Sequence, residues 1–212
     1  MRLIIRNIHK KYDNINVIDD ASYTFESGRV YGITGEKGAG KTALLRCISG
    51  ECRPDRGTVR IDTGVKNIHP AFSDFTLLQR DFILPEYMTV GEYVEYGALL
   101  HGIGNTDRIA NAMNLMDIKD KDNILIKDLT DKDKLKTRLA ATLLFMPSVV
   151  MLDDIFEYDA DDCTNLIKDA ETGHIFILTA ERRETIESVC DETLTLYGGR
   201  LSYDSRFGGS YA

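Results

Sequence analysis

The segment that most constrains the fold is the run at residues 35–42, which has a glycine, four further residues and then Gly-Lys-Thr. A β-rich stretch precedes it at residues 29–34, and apolar side chains recur at helical spacing over residues 42–48. Between a strand and a helix, such glycines let backbone N–H groups converge on phosphate oxygens, and the helix start adds the positive end of its dipole. The sequence therefore predicts a polyphosphate-binding loop at the start of a helix. We call residues 35–42 the phosphate loop.

Two side chains of this loop have predicted roles of their own. Lys41 is placed to reach the β- and γ-phosphates of a nucleotide, and the Thr42 hydroxyl is placed to bind Mg²⁺. The residues that we predict to bind the nucleotide are Gly35, Glu36, Lys37, Gly38, Ala39, Gly40, Lys41, Thr42 and Ala43.

Composition and charge exclude several classes of protein. With 212 residues and 43% hydrophobic side chains, the chain is long enough for one domain with a large core. Its formal net charge of −8 argues against a nucleic-acid partner, which would require a basic face. The longest apolar run, residues 139–146, is too short to span a membrane, so a partner would have to supply any span. The four cysteines include no C-x-x-C pair, which favours reduced thiols and a cytosolic setting.

The order of the predicted elements indicates an α/β fold with an inserted helical section. Runs rich in β-branched and apolar residues predict strands at residues 3–8, 17–25, 57–62, 72–78, 149–152 and 175–179. Apolar residues at helical spacing predict helices at residues 89–100, 107–116 and 131–146, the last of which stops at Pro147. Residues 192–201 are typical of a hairpin turned at Gly198 and Gly199.

Asp153 is the predicted second anchor for a metal ion. It follows four apolar residues that are typical of a buried parallel strand, and open α/β sheets bind ligands at the carboxyl ends of such strands. A carboxylate there would lie beside the phosphate loop and could hold Mg²⁺ together with Thr42. The alternative is a carboxylate that caps a helix near residue 161.

The order of these features resembles that of the ATP-binding cassette (ABC) ATPases, the nucleotide-binding subunits of ABC transporters. Tyr12 precedes the phosphate loop, Gln79 and a helical insert follow it, and Leu129 then leads into the helix before residues 149–154 and 175–179. The resemblance covers essentially the whole chain. It implies a P-loop NTPase core of ABC type, with an N-terminal antiparallel β part and a helical subdomain at about residues 80–135, within a single domain of residues 1–212.

The resemblance also implies roles for two further side chains, and it implies ATP and Mg²⁺ as ligands. By the resemblance, Tyr12 stacks on adenine, whereas Gln79 joins the metal shell and senses the γ-phosphate. Without the resemblance, Tyr12 would be an aromatic residue of an edge strand and Gln79 a solvated polar residue.

Three positions depart from the pattern of the family. Residues 129–133 read Leu-Thr-Asp-Lys-Asp where the family has Leu-Ser-Gly-Gly-Gln. Thr130 and Asp133 there predict a capping box, which would occupy the N–H groups that the family offers to phosphate. Asp131 and Asp133 also bring negative charge toward a phosphate, and like charges at ~4 Å cost on the order of 1–4 kcal/mol. Lys132 and Lys134 would offset part of that charge.

The other two departures concern hydrolysis. Asp154 stands where the family has the Glu that polarises the attacking water, and its side chain is one methylene shorter. That sets the carboxylate back by roughly 1.5 Å, and a misplacement of that size costs about 100-fold in rate. Ala180 stands where the family has a His that contacts the γ-phosphate, and alanine has no side-chain donor. The sequence thus predicts that the residues for binding the nucleotide are all present. It predicts that the residues for hydrolysis are impaired and that turnover is slow.

The resemblance therefore implies a cytoplasmic subunit that binds MgATP and is attached to the membrane through a membrane-spanning transporter subunit. It implies a head-to-tail homodimer, or a heterodimer with a second ABC cassette, and a docking segment near residues 84–88 for the transporter's cytosolic helix. One alternative is a nucleotide-controlled binding module without significant hydrolysis, which a turnover assay would identify. The other is a P-loop kinase, but the sequence has no Arg-rich lid after the helical insert.

Overall fold

The structure is a computed structural model that describes residues 1–64, 67–68, 74–79, 83–154 and 173–203. Its contacts divide the chain into two compact units. We call residues Met1–Arg80 with Ser148–Ala212 the core unit, and residues Asp81–Pro147 the helical unit. The helical unit extends beyond residue 135, where the sequence analysis ended the insert. Within the described residues, no helix has both the length and the apolar character that crossing a membrane requires.

The core unit contains an antiparallel and a mainly parallel sheet. Its elements are β1 (Arg2–Tyr12), β2 (Ile15–Glu26), β3 (Arg29–Thr34), α1 (Lys41–Ser49), β4 (Arg56–Asp62), β5 (Asn67–Ile68), β6 (Phe75–Gln79), β7 (Val149–Asp153), β8 (Ile175–Ala180), β9 (Glu192–Tyr197) and β10 (Arg200–Tyr203). The antiparallel sheet has the order β2-β1-β4-β5, and the second sheet has the order β10-β9-β3-β8-β7-β6. Among the described strands of the second sheet, the β9–β10 pair is antiparallel and the other pairs are parallel. This arrangement confirms the predicted fold class.

One hydrophobic core joins α1 to both sheets. Side chains such as Leu44 and Ile48 of α1 are buried with Ile5 of β1, Ile33 of β3 and Ile177 of β8. Packing in this core therefore fixes the positions of both α1 and the strands of the second sheet. The carboxyl ends of β3, β6, β7 and β8 lie along the same edge of the parallel sheet, where α/β folds bind ligands.

Most of the predicted elements occur with small shifts at their ends. The predicted strand at 72–78 is found as Phe75–Gln79, and residues 72 and 73 lie outside the described residues. The hairpin turns at Gly198 and Gly199, which have φ of 56° and 78°. Two successive positive φ values give the tight turn that matches the twist of the strands.

The helical unit consists of α2 (Val90–Leu100), α3 (Thr106–Leu115) and α4 (Asp131–Leu143). Thr89 caps α2 in a complete capping box, since its hydroxyl accepts from Glu92 N and its own N–H donates to the Glu92 carboxylate. The prediction that α4 reaches residue 146 was wrong. Met146 has φ of 50°, and the proline after it disfavours helical backbone at that position, so the helix ends earlier.

Candidate functional site

The phosphate loop connects β3 to α1 in a conformation that depends on its glycines. Gly38 and Gly40 have φ of 83° and 101°, in the left-handed region where glycine is favoured. A Cβ on Gly40 would also lie 2.9 Å from the carbonyl oxygen of Val17. Hydrogen bonds from Ala39 N to Glu36 O (3.0 Å) and from Gly35 N to Ala180 O (3.3 Å) hold the loop. The predicted loop therefore lies at the carboxyl end of β3 and β8.

Lys41 is the first residue of α1, and its side chain folds back over this loop. It is buried, and its Nζ donates to Gly35 O at 2.6 Å and to Glu36 O at 3.1 Å. The ammonium group is thus held among backbone atoms of the phosphate loop. A phosphate anion in the loop would face this charge together with the N-terminal end of the helix dipole.

Thr42 and Asp153, the two predicted metal ligands, are in direct contact. The Thr42 hydroxyl donates to Asp153 Oδ2 at 2.6 Å, although the two residues are 111 positions apart in the chain. The second carboxylate oxygen of Asp153 accepts from Thr179 Oγ1 at 2.7 Å. Asp153 is buried, and these two hydrogen bonds hold its carboxylate against the start of α1.

Gln79, the third predicted metal ligand, pairs with Asp153 in the register of β6 and β7. Its Oε1 accepts from Arg46 Nη2 at 3.2 Å, which occupies one of the two lone pairs of this oxygen. Together the three side chains offer a hydroxyl, a carboxylate and an amide oxygen, which are the hard donors that Mg²⁺ prefers. Among the described residues, no group of three or more His, Cys, Asp or Glu forms a metal cluster. The set nevertheless fits Mg²⁺, which usually takes few protein ligands and completes its shell with phosphate oxygens and water.

Asp154 leaves β7 with a left-handed backbone. Its φ is 55°, a conformation that Asp and Asn tolerate better than most residues. Its N–H donates to Thr179 Oγ1 at 2.9 Å, so one threonine fixes both Asp153 and Asp154. The catalytic role of Asp154 stays a prediction, and residues 155–172 lie outside the described residues.

Ala180 is the last residue of β8 and is buried. Its carbonyl oxygen accepts from Gly35 N, so this backbone position adjoins the start of the phosphate loop. Ala180 therefore lies next to the candidate site, but its side chain has no hydrogen-bond donor.

Tyr12 ends β1 and is 42% exposed. Its hydroxyl lies 3.5 Å from Cys52 Sγ, and the Nζ of Lys10 is 5.3 Å from the centroid of its ring. The hydrogen bond with Cys52 raises the pKa of Tyr12. These contacts place Tyr12 beside the loop that follows α1, and its stacking on adenine stays a prediction.

The segment at residues 129–133 belongs to the helical unit and begins α4. Thr130 Oγ1 accepts from Asp133 N at 3.2 Å, which is the predicted N-cap. The reciprocal half of the capping box was predicted wrongly, because the Asp133 carboxylate accepts from Lys121 Nζ at 2.6 Å and from Thr130 Oγ1 at 2.7 Å. Burial raises the pKa of Asp133, but these two hydrogen bonds and the charges of Lys121 and Lys136 together outweigh it, so the net pKa is lowered.

Lys121 forms an ion pair with Asp133 at 2.6 Å, a partner that the sequence analysis did not identify. Lys134 lies 3.8 Å from Asp131, which agrees with the prediction that it offsets part of the charge of this segment. Both aspartates of the segment therefore have a cationic neighbour within the helical unit.

Three residues of the core unit that contact predicted site residues were missed by the sequence analysis. Thr179 had one signal, since it is a hydroxyl side chain at the end of an otherwise apolar strand. No pattern in the sequence indicated Arg46 and Cys52, whose partners lie 33 and 40 positions away along the chain. In the helical unit, Lys121 was likewise missed as the partner of Asp133.

Comparison with known proteins agrees with this geometry. The model of the ABC transporter family matches residues 18–157. A methionine import ATP-binding protein of Oceanobacillus iheyensis is 26% identical over 217 residues, which cover 93% of this chain and 64% of that protein. An uncharacterized ABC transporter ATP-binding protein of Bacillus subtilis is 26% identical over 209 residues, which cover 93% of each chain. This chain therefore spans only about two thirds of the methionine import relative.

Solved structures share the fold. The ADP conformation of an ATP-binding cassette of an ABC transporter has a TM-score of 0.82 at 19% identity and covers 95% of this chain and 90% of its own. The cbiO1 protein of Clostridium perfringens, part of the ABC transporter complex cbiONQ, also has a TM-score of 0.82, at 20% identity, with 94% and 86% coverage. At these identities the likeness concerns the fold alone.

Proposed function

This chain belongs to the ABC transporter family, and from that premise we propose that it is the ATP-binding subunit of an ABC transporter. The observation that carries the proposal is the contact between the phosphate loop and the buried carboxylate, Thr42 Oγ1 to Asp153 Oδ2 at 2.6 Å. It brings a phosphate cradle and a metal ligand together at the carboxyl edge of a parallel sheet.

In this proposal the phosphate loop binds the β- and γ-phosphates through its backbone N–H groups and Lys41. Lys41 exchanges its hydrogen bonds to Gly35 O and Glu36 O for phosphate oxygens. Thr42, Asp153 and Gln79 would hold Mg²⁺, which neutralises phosphate charge when bound. Thr179 keeps the Asp153 carboxylate oriented through its hydrogen bond to Oδ1.

We further propose that two cassettes meet head to tail, as a homodimer or with a second ABC cassette, and that each contributes residues 129–133 to the other's nucleotide. The N–H groups that this segment would offer to phosphate are partly occupied, since Thr130 accepts from Asp133 N. Together with Asp154 and Ala180, this supports slow hydrolysis rather than brisk turnover. The cassette would act in the cytoplasm, where its membrane-spanning partner would hold it at the membrane.

The proposed docking surface for the membrane-spanning partner is the pair of exposed apolar side chains Ile83 and Tyr87. Between them Leu84 is buried, and Met88 O accepts from Ile126 N at 2.9 Å, so the helical unit anchors this segment. Tyr87 is 82% exposed. Aromatic residues on a rigid support are typical centres of protein interfaces, and an amphipathic helix of the partner would suit this surface.

Replacing Tyr12 by alanine should weaken ATP binding. If the ring stacks on adenine, its loss costs on the order of 1–3 kcal/mol, by analogy with stacking of bases on aromatic side chains. Tyr12→Phe keeps the ring and should change the affinity little. Isothermal titration calorimetry with MgATP measures both variants, and unchanged affinity in Tyr12→Ala would remove this residue from the adenine site.

Replacing Tyr87 by alanine should weaken capture of the membrane partner by more than about 1 kcal/mol, because tyrosine is enriched among the interface residues whose truncation costs that much. The measurement is the amount of membrane protein that co-purifies with the tagged chain from membrane extract, identified by mass spectrometry. Tyr197→Ala is the matched control, because Tyr197 is also an exposed tyrosine, at 79%, but belongs to the core unit. Equal capture by wild type and Tyr87→Ala would contradict the docking surface.

A further inference from the structure

Several polar groups meet at the thiol of Cys52, just after α1. Tyr12 Oη lies 3.5 Å from Cys52 Sγ, and this sulfur also contacts Arg53 O at 3.8 Å. Lys10 is held in place, because its Nζ donates to Arg53 O at 2.9 Å and lies 3.7 Å from Asp55 Oδ1. Cys52 is half-buried, so the sulfur is supported by its neighbours and still reachable from solvent.

The two cysteines of this cluster differ in chemistry. The contact with the Tyr12 hydroxyl is the largest cause that lowers the pKa of Cys52, and the positive charge of Lys10 adds to it. Burial raises the pKa of Cys47 to about 12. Cys47 therefore remains protonated, whereas Cys52 is the sulfur that can act as a thiolate nucleophile.

A cavity of about 860 Å³ opens at this cluster. Both cysteines line it, together with the basic residues Lys10, Arg53 and Arg56 and the acidic residue Asp55. The cavity has room for a small-molecule adduct on Cys52. Three cations against one carboxylate favour an adduct that carries negative charge.

We propose that Cys52 is a modification site for small anionic disulfides, and that its modification weakens nucleotide binding through Tyr12. The Cys52 thiolate attacks one sulfur of the disulfide, a new S–S bond forms, and the original S–S bond breaks. The other half leaves as a thiolate that takes up a proton from water. The disulfide is itself the oxidant, so no further reactant is required.

The link to nucleotide binding follows from the contact with Tyr12. An adduct on Cys52 replaces the thiol that holds the Tyr12 hydroxyl and occupies space beside the ring. This second part rests on the proposed function, in which Tyr12 stacks on adenine. Loss of that stacking would lower ATP affinity about fivefold or more.

The reactivity test uses the full chain with oxidised glutathione, an anionic disulfide, and cystamine, a cationic one, followed by mass spectrometry of proteolytic peptides. We expect Cys52 to react about tenfold or more faster than Cys47 and Cys190, and to react faster with oxidised glutathione than with cystamine. Cys52→Ser should remove the fast reaction. Tyr12→Phe should slow it, because the hydroxyl that stabilises the thiolate is gone. A Cys52 that reacts no faster than Cys47 and Cys190 would overturn the site.

The coupling test measures MgATP affinity of the glutathione adduct by calorimetry, before and after reduction with dithiothreitol. We expect the affinity to fall about fivefold or more in the adduct and to return on reduction, with no change in Cys52→Ser treated in the same way. Unchanged affinity in the adduct, while Tyr12→Ala still weakens ATP binding, would refute the coupling. Unchanged affinity in Tyr12→Ala itself would instead refute the adenine role of Tyr12, and the rate of modification would still decide the thiol site.

Discussion

MgATP binding is expected to fall about 10- to 150-fold when Lys41 is replaced by alanine, since charge-assisted hydrogen bonds contribute about 1.5–3 kcal/mol. In the structure the ammonium group already lies at the loop, 2.6 Å from Gly35 O. The variant removes the one side-chain cation that the phosphate loop holds in a buried position. Calorimetry with MgATP measures the loss.

Lys37→Ala is the matched control for this variant. Lys37 lies in the same loop, but its side chain is exposed, and its backbone N–H survives the substitution. We expect it to keep nearly wild-type affinity. Because Lys41 also holds two carbonyl oxygens of the loop, the melting temperature of each variant without nucleotide should be measured as well. Equal affinity of wild type and a folded Lys41→Ala protein would refute the phosphate-loop assignment.

A second large effect is expected in hydrolysis. Asp154→Glu combined with Ala180→His should raise kcat by about 100-fold, because the longer carboxylate and the added donor act on the transition state. The affinity for ATP should change much less, since neither group is needed to hold the bound nucleotide. Steady-state phosphate release at several protein concentrations is the measurement.

The structure adds two physical consequences to this prediction. Residue 154 has φ of 55°, which Glu tolerates less well than Asp, and Ala180 is buried, so a histidine there must displace its neighbours. We therefore expect a lower melting temperature in the double variant together with its higher kcat. Asp154→Asn is the control for charge, because Asn accepts the same backbone conformation. If the wild type hydrolyses ATP briskly and Asp154→Asn abolishes this activity, the proposal of slow hydrolysis is wrong.

Restoring the segment at residues 129–133 extends the same experiment. Adding Asp131→Gly, Lys132→Gly and Asp133→Gln should raise turnover again only at protein concentrations where dimers form, because the segment would serve the opposite subunit. Asp133→Gln also removes the carboxylate that accepts from Lys121 and Thr130, so the variant should unfold at a lower temperature. A gain in turnover that does not depend on protein concentration would argue against the head-to-tail arrangement.

The sequence by itself determined the features that depend on neighbouring residues. Glycine at positions 38 and 40 permits the left-handed backbone of the phosphate loop, and a helix with apolar spacing follows it directly. The run before Asp153 is buried along its whole length, as a strand of the parallel sheet should be. Two glycines at 198 and 199 set the last hairpin. Backbone propensity and periodicity act over a few residues, so the pattern alone predicted them.

The predicted end of α4 and the predicted capping box are two cases in which such local rules gave a wrong result. The helix ends at Leu143 although its pattern continues to Met146, because Pro147 restricts the backbone before it. Thr130 caps the helix as predicted, but Asp133 accepts from Lys121 rather than from the backbone of Thr130. A charged lysine is a stronger donor for a carboxylate than a backbone amide, and the sequence does not show that the two side chains meet.

Only the tertiary structure decided which polar groups share a partner. Thr179 holds Asp153 and the backbone of Asp154 at once, Arg46 holds Gln79, and Cys52 lies against Tyr12. These contacts join residues on separate strands, helices and loops. They form because burial of α1 and the sheet in one core fixes where each element ends, and a hydrogen bond requires that its two atoms arrive within about 3 Å of each other. No local pattern encodes that distance.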